Sequence, residues 1–574
     1  MMKNKVHIVP HTHWDREWRY PIWKNRSLLV DFMDNLLEVL KERPTYSQFI
    51  LDGQSVVIED YLEIRPERRA EVEKYISEGR ITCGPWYTLP DLYPIDGECL
   101  VRNLLKGYRV SEKFGRTMKI AYTSFGWGQT AQFPQIYAGF GIDFCITAKR
   151  VNDERAPKSE FLWESPDGTK ILTSRLGKEG RAQFFLITVL PAKYNVENDK
   201  DFHIEWENSG MVYHKANAGT DNVDYFKISG NDDFYPETIK KNIEKCLEGT
   251  NDTTVPSERF FPAGCDFSGC IKELDRIIET ANKEFDDYSF EHSTLQNYAE
   301  AIKEKVDYNS LITVKGELRD GPSSATAGNA LSTRLYIKQA NKKAQNLLIY
   351  KSEPLNSVVA MLGGNYERGF LAKAWDYLLK AHPHDSINGV TQDKTANDNM
   401  FRIAQAIEIS DIALDRAMSG IIEKTDLSNY KDSDVLLIAY NTLPFPVSQI
   451  LEVAIDIPEI EDAWDFKIYD ENNKEMKLQW IAKDNKIRIL HDPDSRPWPL
   501  HVDTHNVYME SGMIPAGGFK VYRAEISRKF ERSFICGPTY QRTTVGDEIA
   551  QTNSTLENEF IKVEINPNGT FNLT

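Results

Sequence analysis

Three things are missing from this chain, and each absence narrows its role. No apolar run is long enough to cross a membrane, and Met1-Met2-Lys3-Asn4-Lys5 runs straight into the strand-like Val6-His7-Ile8-Val9-Pro10 with no leader pattern. A cytoplasmic protein with no membrane partner is the expectation. There is no basic surplus either: 69 Lys and Arg face 86 Asp and Glu, a formal net charge of −17. A nucleic-acid partner calls for the opposite balance. Finally, there is no thiolate metal site. The seven cysteines include no CxxC pair, Cys265 and Cys270 being too widely spaced, and Cys145 lies in the apolar run Phe144-Cys145-Ile146. Reduced, buried thiols are expected.

What is present is length and apolar content. The 574 residues are 41% hydrophobic, enough for several cores and three or more domains. From about residue 5 to 290, short apolar runs such as Gln48–Leu51, Phe144–Thr147, Ile171–Ser174, Phe226–Ser229 and Arg259–Ala263 alternate with amphipathic stretches such as Ser27–Lys41, Pro66–Glu78 and Pro236–Glu248. Alternating βα units predict a mostly parallel sheet, open or closed into a barrel.

Helical periodicity then takes over. Phe370, Ala374, Trp375, Leu378 and Leu379 mark one face, Met400, Ile403, Ile407 and Leu414 another, and Ser332–Leu348 reads as a third helix. After about residue 430, alternating runs such as Val435–Tyr440 and Ser448–Ile455 return. The expected fold class is therefore a multidomain α/β + α + β chain: a parallel α/β barrel-like domain over 1–300, a three-helix bundle over 301–428, a small β domain over 429–545, and the start of a further β-sandwich domain over 546–574.

The chemistry gathers at strand ends. His11-Thr12-His13-Trp14-Asp15-Arg16-Glu17-Trp18 follows the first strand, and parallel α/β folds collect their catalytic groups there. An imidazole and a carboxylate two residues apart in a turn can reach one metal ion. A second histidine–acid pair, in His382-Pro383-His384-Asp385-Ser386, reads as the end of a helix. Asp266 follows the run Phe260–Ala263, Asp52 follows Phe49–Leu51, and Gly84-Pro85-Trp86-Tyr87 follows another run. Carboxylates with flat aromatic faces suit a sugar site, and a carboxylate pair suits glycoside hydrolysis.

The segment His11–Trp18 resembles the N-terminal signature of glycoside hydrolase family 38 α-mannosidases. The likeness continues through Gly84-Pro85-Trp86, Gly97-Glu98, Arg102-Asn103-Leu104-Leu105, Gln132–Tyr137, Gly316-Glu317-Leu318-Arg319 and His382–Ile387. The resemblance implies an N-terminal α/β domain, a three-helix bundle, C-terminal β domains, one zinc ion that binds sugar hydroxyls, and retaining hydrolysis of a mannoside or mannose-containing oligosaccharide. A homo-oligomer stays open.

Carried over residue by residue, the resemblance makes His13, Asp15 and His384 metal ligands. Trp18, Asp385, Trp86 and the weakly matched Arg150 become substrate contacts. Asp266 becomes the general acid, with Asp232 ranked second. The departure is Thr123, which stands where the family has the nucleophilic Asp. No Asp or Glu occurs from Lys113 to Ile142, and a neutral hydroxyl does not replace a carboxylate nucleophile. Two other readings are a zinc-dependent mannoside-binding protein that has lost hydrolysis and an α/β amide hydrolase of the polysaccharide deacetylase kind. His384, placed in the bundle, favours the mannosidase family over the deacetylases.

Overall fold

The computed structural model describes residues 3–123, 128–148, 151–177, 180–197, 232–320, 330–461, 463, 465–527 and 550–574; the expected strand Phe226–Ser229 lies outside them. The chain forms two compact units, Met1–Ile422 and Glu423–Thr574.

In the first unit, β1 (Asn4–Pro10) is followed by the helix Ile22–Glu42, then β2 (Phe49–Ile50), β3 (Ile81–Thr82), β4 (Ala121–Thr123), β5 (Phe144–Thr147), β6 (Glu160–Glu164), β7 (Lys170–Arg175), β8 (Glu258–Ala263), β9 (Tyr288–His292) and β10 (Thr313–Lys315). Among the described residues these strands make three separate sheets, ordered β8-β1-β9, β2-β3 and β10-β6-β7-β5-β4, and no closed barrel. All pairings are parallel except β6–β7, an antiparallel hairpin over Ser165-Pro166-Asp167-Gly168-Thr169. Val6, Ile8 and Val9 of β1 are fully buried, as expected of a parallel strand covered on both sides.

The helical part consists of Leu335–Leu347, continued through a wide π-type turn into Glu353–Met361, then Arg368–Lys380 and the long Asp393–Ile422. Of the expected faces, Ala374, Trp375, Leu378, Leu379 and Ile403 are buried. Phe370 is exposed, and the long helix buries the small residues Ala406, Ser410, Ala413 and Ala417. Small side chains let backbones approach: Ser352 donates to the Ser410 carbonyl at 2.7 Å, and Asn356 to that of Ala413 at 3.0 Å.

The second unit holds β11 (Val435–Tyr440), β12 (Ile450–Pro458), β13 (Asp465–Asp470), β14 (Leu478–Leu490), β15 (Trp498–Glu510) and β16 (Phe519–Ser527), followed by β17 (Ala550–Thr552), β18 (Thr555–Glu557), β19 (Lys562–Ile565) and β20 (Phe571–Leu573). Two antiparallel sheets, β11-β16-β13 and β12-β15-β14, enclose one apolar core that includes Ile455, Ile457, Phe466, Ile468, Val507 and Tyr522.

One buried contact joins the loop after β1 to the bundle. Glu17 is fully buried, accepts from Ser386 Oγ at 2.6 Å, and forms an ion pair with Arg402 of the long helix. Removing one member of a buried pair strands the other charge. Arg402→Met is therefore expected to destabilise the first unit by about 3–5 kcal/mol. The double variant with Glu17→Gln should recover part of the loss. Denaturant titration checks this, and a loss below about 1 kcal/mol would mean that the pair does not hold the loop.

Candidate metal centre and active site

Two pieces of backbone build the centre. The β1–β8 pairing runs past the ends of both strands: His13 N donates to the Cys265 carbonyl at 3.1 Å, and Phe267 N to that of His13 at 2.9 Å. His13 and Asp266 thus lie side by side. Gly264 is required at this junction, because a Cβ there would stand 1.8 Å from the His11 carbonyl oxygen.

The second piece differs from expectation. The Asn388-Gly389 turn ends a helix as expected, but a short one of its own. The helix Arg368–Lys380 stops short of it, Pro383 caps a new short helix His384–Asn388, and Gly389 terminates that helix at φ 70°. His384 is aimed by Leu89, whose carbonyl accepts from its backbone N at 2.8 Å and from Nδ1 at 3.3 Å. The ring therefore presents Nε2 to the cluster.

There, Asp15 Oδ1 lies 2.9 Å from His13 Nε2 and 3.2 Å from His384 Nε2. One ligand atom from each of His13, Asp15 and His384 falls within 4.8 Å of the others, and all three residues are buried. Asp15 Oδ1 has no well-directed hydrogen bond despite these short distances. The atoms converge on a shared point more than on each other, and a hard or borderline cation with N and O ligands fits that donor set.

A further carboxylate stands behind the cluster. Asp52 Oδ2 lies 2.7 Å from His13 Nδ1 and accepts from Trp14 N at 2.8 Å. A carboxylate behind a ligand imidazole fixes its ring and raises its basicity. The sequence showed Asp52 as a strand-end acid but gave it no role. The missing signal was its backbone, which turns left-handed at φ 51° and so carries the side chain back beneath His13.

The electrostatics are strongly coupled. Burial and the Arg181 charge oppose protonation of His13, but Asp15 and Asp52 outweigh them and push it up to about 10. Burial likewise opposes protonation of His384, which Asp385 and Asp15 nevertheless raise. Asp15 is held well below the usual carboxylate range: burial works against this, and the His13 and His384 charges override it. Asp385 moves up, first through burial and then through the neighbouring Asp15 charge, despite His384 at 3.6 Å.

The other expected residues divide. Asp266 stands beside His13 with a partly exposed side chain, 2.7 Å from Arg181 Nη2. Asp385 adjoins the cluster. Trp18 is half-buried under the Arg19 guanidinium, 4.3 Å from its ring centre. Trp86 is not at the site, contrary to expectation: it is fully buried against Phe133 and Tyr137. Trp14 and Tyr87 are buried too, Trp14 stacking on Phe32 and Tyr87 donating to Glu59. Asp232 is exposed. Thr123 ends β4 opposite Thr147, but its side chain, residues 124–127 and Arg150 lie outside the described residues.

Parallel strands whose C-terminal ends carry a buried histidine–carboxylate centre, completed from a helical bundle, define the class of this protein. Within it, residues 3–320 match the glycosyl hydrolases family 38 N-terminal domain, and the chain belongs to that family. It is 28% identical over 601 residues to a Halalkalibacterium halodurans protein named as a candidate mannosylglycerate hydrolase, covering 100% of this chain and 61% of that one. Alpha-mannosidase G of Dictyostelium discoideum is 27% identical over 176 residues, covering 30% of this chain and 16% of that protein. The crystal structure of an alpha-mannosidase from Enterococcus faecalis V583 superposes with a TM-score of 0.82 at 25% identity, over 100% of this chain and 60% of that one. The chain thus spans about three fifths of the length of the two relatives matched over its whole extent.

Protons and a metal ion compete for the same ligand atoms. A His13 pushed up to about 10 keeps its proton through neutral pH. The stability this proton brings is complete below about 6.5 and lost as pH rises through the raised value. Divalent-ion binding should therefore release at least about one proton and tighten from about pH 6 to about pH 8. Calorimetry in buffers of different ionisation enthalpy measures the release. Binding with no proton release and no pH dependence would place the ion elsewhere.

Proposed function

We propose that this chain carries the active site of a glycoside hydrolase acting on α-mannosides, small ones with an acidic leaving group such as mannosylglycerate included. The observation that carries the reading is the meeting of His13 and Asp15 with His384, beside an acid on the neighbouring strand. Zn²⁺ held by His13, Asp15 and His384 would supply fixed positive charge to the sugar's hydroxyl oxygens.

The chain's own residues do the rest. Asp266, in register with His13, protonates the leaving oxygen. Asp52 locks the His13 ring. Asp385, pushed toward its neutral form, can donate a hydrogen bond to a sugar hydroxyl. Trp18, the least buried of the four aromatic candidates, offers an apolar face. A retaining route also needs a nucleophile, and Thr123 occupies the position at the end of β4 that the family resemblance reserves for it.

Release of mannose from an aryl α-mannoside and from mannosylglycerate, with and without added Zn²⁺, tests the activity. Asp266→Asn should cost the poor leaving group on the order of a hundredfold and the aryl substrate much less; equal losses would take the proton-donor role away from Asp266. Thr123→Asp is expected to strengthen Zn²⁺ binding and raise turnover. A weaker variant beside an active wild type would show that another group attacks. Mannoside binding with no release in wild type would make this a binding protein.

A further inference from the structure

Within this mannoside-hydrolase reading, on which the inference rests, we propose that Arg181 is a specificity-determining residue that binds a carboxylate on the leaving group, so that mannosides of acidic aglycones are the preferred substrates.

Arg181 lies in the short turn Gly180–Ala182, outside every segment that carries the family resemblance. Its position is fixed by the site itself. The Arg181 carbonyl accepts from His11 Nε2 at 3.0 Å, which pins the turn to the loop bearing His13 and Asp15. Its guanidinium lies 2.7 Å from Asp266 Oδ1 through Nη2. Neither side chain is sealed from solvent, with exposures of 22% for Arg181 and 41% for Asp266.

A proton donor to the glycosidic oxygen touches the junction between sugar and leaving group. A guanidinium within hydrogen-bond distance of that donor therefore reaches the first atoms of the leaving group. A neutral aglycone gives the cation nothing to bind. A carboxylate one or two carbons from the glycosidic oxygen does, through a charge-assisted contact to the guanidinium. The setting sharpens the argument: Asp15, Asp52, Asp266 and Asp385 surround the cluster in a chain of net charge −17. Besides the proposed Zn²⁺ at the cluster, Arg181 is the cation next to Asp266 that would offset these charges for an acidic aglycone.

The test compares α-mannosylglycerate with the neutral α-mannosylglycerol in wild type, Arg181→Gln and Arg181→Lys. Wild type should favour the glycerate by at least about tenfold in kcat/KM, mainly through KM. Arg181→Gln should cost the glycerate at least about tenfold more than the glycerol compound, and Arg181→Lys should restore part of the preference. Equal losses on both substrates would overturn the proposal and leave Arg181 a positioning residue for Asp266. If wild type turns over neither compound, the hydrolase reading fails. Calorimetric binding of the same two compounds then decides the role of Arg181: a glycerate preference that Arg181→Gln abolishes supports it, and no preference in wild type overturns it.

Discussion

Glu17, buried without solvent contact, is the point on which the centre hangs. Three consecutive residues of the loop after β1 take different tasks. Asp15 faces the imidazoles. Arg16 binds Asp60 with two N–H groups at 2.7 and 3.0 Å, tying the loop to the helix Val56–Leu62. Glu17 reaches across to Ser386 and Arg402, tying the loop to the bundle. His384 can meet His13 because residues hundreds of positions apart in sequence are held by this carboxylate and the Leu89 carbonyl, together with contacts such as Thr88 to the Leu379 carbonyl and Asn388 to Asp91. A buried ion pair brings little net stability once its desolvation is counted. Its contribution here is registry, one side chain fixing where two elements meet.

The centre is also an unusually dense set of mutually dependent charges. Two imidazoles, Asp15, Asp52 and Asp385 lie within 4 Å of a neighbour in the set, all of them buried. Asp385 moves up first through burial and then through the Asp15 charge, whereas the His13 and His384 charges hold Asp15 down against its own burial. Two carboxyls that close cannot both carry charge cheaply, so one stays an acceptor and the other is pushed toward being a donor. A sugar's hydroxyls, each both donor and acceptor, are matched by such a mixed set.

Much of this could be read from the sequence where periodicity and chemistry agreed. Phe144–Thr147 and Val435–Tyr440 form strands over those same residues, and the run Arg259–Ala263 extends by one residue to Glu258. The His11–Trp18 and His382–Ser386 segments meet in space as their residue types suggested. The failures have physical causes. The hairpin strand β6 was passed over, although Pro166-Asp167-Gly168 is a turn signature. In the bundle, bulky aliphatics drew attention while alanines and serines made the close contacts. Aromatic residues near the strand ends suggest sugar platforms, yet Trp14, Trp86 and Tyr87 fill the core, and sequence alone does not say which face of a loop an indole takes. Asp52 was visible as an acid but not as a partner, because its left-handed backbone cannot be inferred from its neighbours.

The pairing of His13 with Asp266 across two parallel strands has an evolutionary implication. Adjacent strands stand about 4.8 Å apart, a distance set by backbone hydrogen bonds and insensitive to side-chain exchange. The spacing between His13 and Asp266, the metal ligand and proton donor of the proposed reading, is thus a property of the sheet, not of any loop. Drift cannot adjust it in small steps. A lineage built on this scaffold keeps that spacing by default, and its diversity must accumulate outside the paired strands, in turns such as Gly180–Ala182.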